Sequence, residues 1–440
     1  MSTTGTGTTQ IFYASTLYGA ATLAAALDSG CFRPAGRRLL LVSTNAAVPE
    51  TTTPLDAMPG FERLRGRFDA VLDWNETIEP LHPGGWTPRP DDLPLLQRHL
   101  RRLWELGTDR IELVVESLQV APALTIAQLL PDAAIDVYAD GLMSYGPTRN
   151  KIDPLVGERV RRLLHLDLVP GLEPLLLAEF GAVAETVPTE AFTKVVEELS
   201  GPVASEEGPA LLLGQYLAAL SLLTPAEEAE LHLRMVRGTV ARGHRRLVFK
   251  PHPTAPDAWS RALVREAEAL GAELTVLDRP VLAEVLYREL RPALVVGCFS
   301  TALFTASAFY GIETARVGTR QLLARLSPYQ NSNRVPVALA DALVPDLEAG
   351  AGWAAPGTAE LTGLVAAVGF AMQPKIRPDL REAAVRHLSG PLAASTRHHF
   401  TRRRLTSLGL PGGLPVPRHP GLRRLARRAL KLKRRALGGR

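Results

Sequence analysis

"IELVVESLQVAPALTIAQLLPDAAIDVYADG", residues Ile111 to Gly141, sets two apolar runs on either side of a stretch with helical spacing. Ile111–Glu116 reads as a strand, Ala121–Leu130 as a helix and Ala134–Tyr138 as a second strand. Continuously apolar strands have no wet face, so both sides must be covered, and strands joined through a helix pair in parallel. This stretch is therefore one repeat of a helix-covered parallel sheet.

The alternation continues in both directions. Toward the N-terminus, Gln10–Ala14, Arg38–Ser43 and Phe68–Leu72 read as strands and Leu95–Leu106 as a helix. Toward the C-terminus, Val160–Leu168 and a further strand-like run lead to a helix at Thr189–Leu199. Gly201–Gly208 (GPVASEEG) is polar and rich in breakers, the composition of a linker. The pattern then restarts with strands at Ala210–Gly214, Arg246–Lys250, Glu273–Leu277 and Ala293–Val296. A helix at Thr224–Gly243 opens on Thr-Pro at its cap and first position. The expected fold is α/β: two facing Rossmann-like domains with parallel sheets, residues 10–200 and 209–396, joined by 201–208. A disordered stretch, 1–9, precedes them and a basic helical tail, 397–440, follows. Glycosyltransferases of the GT-B type are built this way. So are sugar-nucleotide 2-epimerases, which the pattern does not separate from them.

Composition narrows the class. At 440 residues with 46% hydrophobic and 22% charged residues, the chain can build full cores in two or three domains. Two cysteines, Cys31 and Cys298, are too few for a disulfide framework or a cysteine-built zinc site and suit a reducing compartment. The opening MSTTGTGTTQ lacks the basic and apolar regions of a signal peptide, and Gly19–Leu27 is too short to span a bilayer, so a cytoplasmic location is expected. The net charge of +5 is unevenly spread. Residues 397–440 carry fourteen Lys and Arg and no acid, leaving residues 1–396 at −9. That distribution argues against nucleic acid as a partner, since the tail also lacks interleaved aromatics for base stacking. Leu422, Leu425, Ala426, Ala429, Leu432 and Ala436 recur at helical spacing among the tail's basic residues, which predicts that 421–440 forms an amphipathic helix on an anionic membrane surface.

Three short motifs carry chemistry. In "LVFKPHPTAP" (Leu247–Pro256) an apolar strand stops on Lys250-Pro251-His252-Pro253, and each proline biases the residue before it toward extended geometry. An imidazole and an ammonium group are thereby placed at the carboxyl end of a strand, where open α/β sheets bind ligands. In "PALVVGCFSTALFTASAFYG" a strand ends at Gly297 and Ser300-Thr301 open a helix. That is ordinarily a plain cap, but it is also the pattern of a phosphate site. In "IDVYADGLMSYG" the strand ends on Ala139-Asp140-Gly141, an ordinary turn or a carboxylate exposed at a strand tip. Together they supply a carboxylate on one domain and cationic and hydroxyl groups on the other. This is the inventory for moving a sugar from a nucleotide to an alcohol.

The order of these motifs resembles that of the bacterial polysialyltransferase-type sialyltransferases. "LVSTNAAVPE" (Leu41–Glu50), "LLHLDLVPGLEPLL" (Leu163–Leu176) and "LLLGQYLAALSLLTPAEE" (Leu211–Glu228) also look like that family, over roughly Gln10 to Pro336. The resemblance implies an inverting, metal-independent enzyme with no cofactor, taking CMP-sialic acid or a related CMP-nonulosonate as donor and a glycan or glycolipid as acceptor. It makes Asp140 the general base and His252 the group that meets the CMP phosphate. Lys250, Pro253, Ser300 and Thr301 would complete the phosphate site, with Gln215 in the nucleotide pocket. Where the family has two acids before the glycine, this chain has Ala139 and then Asp140, so Glu116 and Asp136 stand as reserve bases. Two other classes fit the same scaffold: a CDP-polyol phosphotransferase, and a nucleotide-binding homologue that has lost turnover.

Overall fold

The computed structural model describes residues 7–139, 141–203, 208–252, 257–277, 279–349, 353–391 and 394–414. Asp140, Pro253 and the segment 421–440 lie outside them, as do residues 1–6 and 204–207 of the expected N-terminal stretch and linker.

Twelve strands fall into two all-parallel sheets among the described residues. The first contains β1 (Thr8–Ala14), β2 (Arg37–Val42), β3 (Ala70–Asp73), β4 (Arg110–Glu116), β5 (Ala134–Tyr138), β6 (Val160–Leu166) and β7 (Val183–Val187), in the order β3-β2-β1-β4-β5-β6-β7. The second contains β8 (Gly208–Leu213), β9 (Arg246–Lys250), β10 (Glu273–Val276), β11 (Pro292–Gly297) and β12 (Glu313–Arg316), in the order β10-β9-β8-β11-β12. In each sheet the chain winds outward from one strand and then returns to that strand's other side. The reversals fall between β1 and β4 and between β8 and β11, and a crevice opens at the carboxyl ends of such a pair.

The alternation inside β1 shows why its sequence is apolar throughout. Ile11 and Tyr13 pack with Leu39, Leu41, Leu113 and Val115 on one face, while Phe12 and Ala14 pack with Leu40, Val42 and Val114 on the other. The second cluster continues without a break into Leu211, Val248 and Val295 of the other sheet, so the two halves share apolar packing. Phe192, fully buried on the helix Thr189–Leu199, lies edge-on to Tyr18 and to Phe309, with ring centroids 5.6 and 5.9 Å away. Burial of a side chain of this size stabilises by roughly 1.5–3 kcal/mol.

Several elements depart from the sequence reading. The third strand runs from Ala70 to Asp73, and Asp73 also caps the next helix. β12 was not foreseen. Residues 397–414, read from charge as the start of the tail, belong to the packed body: Phe400, Leu405 and Leu410 are buried in the shared cluster. The helix Thr358–Met372 also reaches back to the first half, where Gln373 donates to the Arg149 carbonyl and Arg377 to that of Leu175. No helix among the described residues is long and apolar enough to cross a membrane.

Candidate functional site

A cavity of about 510 Å³ occupies the crevice between the two sheets. Its first-half wall is made by Ser15 and Thr16, just beyond β1, by Glu116 at the end of β4, and by Leu142 and Met143 beyond β5. Its second-half wall includes Gln215 beyond β8, Lys250 at the end of β9, Glu284, Phe299 and Ser300. Parallel strands bring these distant positions together because each contributes its carboxyl end.

Lys250 anchors the strand tip through its carbonyl, which accepts from Gly214 N–H at 2.9 Å. Burial lowers its ammonium pKa, and the nearby Glu284 works in the opposite direction. Glu284 is itself buried, which raises its pKa, and it accepts a hydrogen bond from Thr305 at 2.6 Å. His252 stands two residues further on, outside the residues lining the cavity, with its ring 6.0 Å from that of Tyr216. Tyr216 packs on Trp259, Trp259 on His232, and His232 on Phe249, so an aromatic row supports the motif from beneath. Desolvation and then the Lys250 charge lower the His252 pKa, and a bound anion would reverse the direction.

Gln215 accepts from Phe299 N–H at 3.0 Å, which ties the tip of β8 to the turn after β11. Ser300 caps the helix Thr301–Tyr310, its hydroxyl accepting from Ala302 N–H at 3.3 Å. Thr301 faces the other half: its Oγ1 accepts from Leu142 N–H at 3.3 Å. The contact depends on Gly141, whose φ is +111° and where an added Cβ would lie 2.4 Å from that oxygen. The Ser/Thr pair thus divides its work, one residue capping the helix and the other joining the halves.

The reserve acids separate clearly. Asp136 is fully buried within β5 and held by Arg161 at 2.9 Å and Arg162 at 3.0 Å, so this expectation is corrected: its carboxylate is a structural ion pair away from the cavity. Glu116 lines the cavity. Ser15 Oγ donates to its Oε1, and Tyr138 Oη, which also donates to the Tyr13 carbonyl at 3.0 Å, lies 3.3 Å from its Oε2. Ala139 is buried, and its N–H donates to the Leu164 carbonyl. Ser15, Tyr138 and Glu284 were missed in the sequence because contacts with distant residues make them part of the site: Ser15 and Tyr138 meet Glu116, and Glu284 meets Thr305.

A second cavity of about 350 Å³ adjoins the first, with Asn45, Gln119 and Arg149 in its lining; Glu116, Met143 and Asn333 belong to both. Elsewhere, among the described residues, Asp341, His398 and His399 bring metal-ligand types within 4.8 Å of one another. Asp341 already bonds Thr319 at 2.7 Å and Arg316 at 3.1 Å on Oδ1 and His398 at 2.5 Å on Oδ2. With the arginine neutralising it, the cluster reads as a latch that fastens the C-terminal segment to the helix Arg334–Leu343.

The sequence matches the family model described as alpha-2,8-polysialyltransferase over residues 10–319. No curated protein matches it significantly. Among solved structures, similarity extends to a mutant of Thermobaculum terrenum O-GlcNAc transferase, at 16% identity and TM-score 0.36, over 88% of this chain and 65% of that one. Apo UGT2 of Phytolacca americana is similar at 11% identity and TM-score 0.43, over 88% and 97% of the two chains. The UDP-GlcNAc 2-epimerase of Methanocaldococcus jannaschii is similar at 12% identity and TM-score 0.41, over 80% and 96%.

Proposed function

From the premise that this chain belongs to the alpha-2,8-polysialyltransferase family and is a glycosyltransferase of GT-B architecture, we propose that it transfers sialic acid, or a related nonulosonic acid, from a CMP donor to a hydroxyl of a glycan or glycolipid. The observation that carries the proposal is the crevice itself. A carboxylate-bearing wall from one sheet faces Lys250 and the capped end of a helix from the other. In a single inverting displacement the acceptor oxygen bonds to the anomeric carbon as the bond from that carbon to the CMP phosphate breaks. The electron pair leaves with the phosphate, and positive groups placed there lower the barrier. Lys250, His252 and the N-terminal end of the helix that Ser300 caps take that role, with Gln215 shaping the nucleotide side. Pro253, by its place in the sequence, biases the backbone of His252 toward extended geometry.

The acceptor proton passes to a carboxylate at the strand tips of the first half. Asp140 of the matched motif and Glu116 both belong to that region, since Glu116 pairs in register with Tyr138, two residues before Asp140. The chemistry asks for no metal and no cofactor. The basic segment 421–440 would hold the enzyme at an anionic membrane surface beside a lipid-linked acceptor. Transfer of the sialyl group from CMP-sialic acid to a glycan acceptor, followed by product mass and anomeric configuration, tests the reading.

A further inference from the structure

Resting on the transferase reading, we infer that Glu116 is the carboxylate that takes the acceptor's proton, and that the acceptor occupies the second cavity. Three observations converge on it. Glu116 lies on the wall common to both cavities, so a sugar reaching from the first and a hydroxyl from the second meet beside it. It is the one acid among the described residues lining the second cavity. Its carboxylate is oriented from two sides, by Ser15 Oγ on Oε1 and Tyr138 Oη on Oε2.

Residue 139, directly before Asp140, is an alanine with a buried methyl group, and Glu116, at the end of the adjacent strand, stands one register step from that position. The proton demand is met from β4 instead of β5. A cavity of about 350 Å³ with Asn45, Gln119 and Arg149 in its lining offers hydrogen bonds to a polyhydroxylated sugar end, and it falls in the usual size range of small-molecule sites. In the step, the hydroxyl's oxygen bonds to the anomeric carbon and its proton moves to a Glu116 oxygen. The proton is released to solvent when the products leave.

The test compares the full chain with Glu116→Gln, Glu116→Asp and Asp140→Asn, measuring transfer from CMP-sialic acid and CMP affinity across pH. Glu116→Gln should lower kcat by about a hundredfold or more, the usual scale for loss of a general base, with CMP affinity unchanged. It should also flatten the acidic limb of the pH-rate profile, which a purely structural role would leave in place. Glu116→Asp should recover part of the rate, and Asp140→Asn should be milder than Glu116→Gln. A near-wild-type Glu116→Gln, or loss confined to Asp140→Asn, overturns the inference while the transferase reading stands. A wild-type chain that binds CMP and transfers nothing overturns both.

Discussion

His252 follows a buried strand, yet its ring lies at the exposed edge of the crevice against Tyr216. His252 is exposed, so replacement by alanine leaves the core packing in place and the melting temperature should stay close to wild type. Turnover should fall by roughly a hundredfold, the scale of losing a charge-stabilising group. A large drop in melting temperature with turnover per folded molecule intact would assign the histidine to structure. This residue was legible because two prolines bracket it. Ser300 was legible because a hydroxyl at a helix start is a recognisable pattern. Glu116 was legible only as a reserve, since the last residue of IELVVE looks like any polar strand end. Its importance comes from Ser15 and Tyr138, more than a hundred and about twenty positions away in the chain, and sequence spacing holds no trace of that meeting. Asp136 misled for the same reason: its partners Arg161 and Arg162 sit on the next strand.

At the scale of elements, the strand-helix-strand units were readable because complete burial of parallel strands imposes continuous apolar runs. β12 escaped because its residues, ETAR, form no apolar run, and its end at Arg316 is paired by the backbone of Pro345 and Leu347. The tip of β5 holds a testable contact. Gly141→Ala forces a side chain into a positive-φ position and against Thr301 Oγ1, a strain of about 1–3 kcal/mol. Thr301→Val removes one hydrogen bond, worth about 0.5–1.5 kcal/mol. Thermal unfolding should therefore rank Gly141→Ala below Thr301→Val and both below wild type. An unchanged Gly141→Ala would mean that the two halves do not meet at this tip.

For the whole molecule, pH acts through groups buried in their neutral form. Burial, followed by the neighbouring His398 charge, pushes the His399 pKa down to about 3, and burial alone pushes that of His232 down to about 4. Free histidine titrates near 6.5, so as pH falls below that value the unfolded chain takes up protons first and stability declines. Asp341 adds to this at lower pH. Burial raises its pKa, but the His398 hydrogen bond and the Arg316 charge outweigh that and hold it well below the usual range. Its contribution is therefore present above about pH 4 and lost as pH falls through the depressed value. Urea midpoints should fall steadily from pH 7 to pH 5, and His232→Phe should flatten part of the slope; a flat wild-type profile would contradict the latch and the buried ring together. The most direct measurement offers the full chain CMP-sialic acid, a CDP-polyol and UDP-sugars in turn, each with a glycan acceptor, and follows nucleotide release and product mass. Sialyl transfer from a CMP donor predicts CMP release coupled to an acceptor heavier by one sialyl residue, with inverted anomeric configuration and without added metal. Release of CMP from the CDP-polyol with transfer of a polyol phosphate, or turnover confined to UDP-sugars, would contradict it.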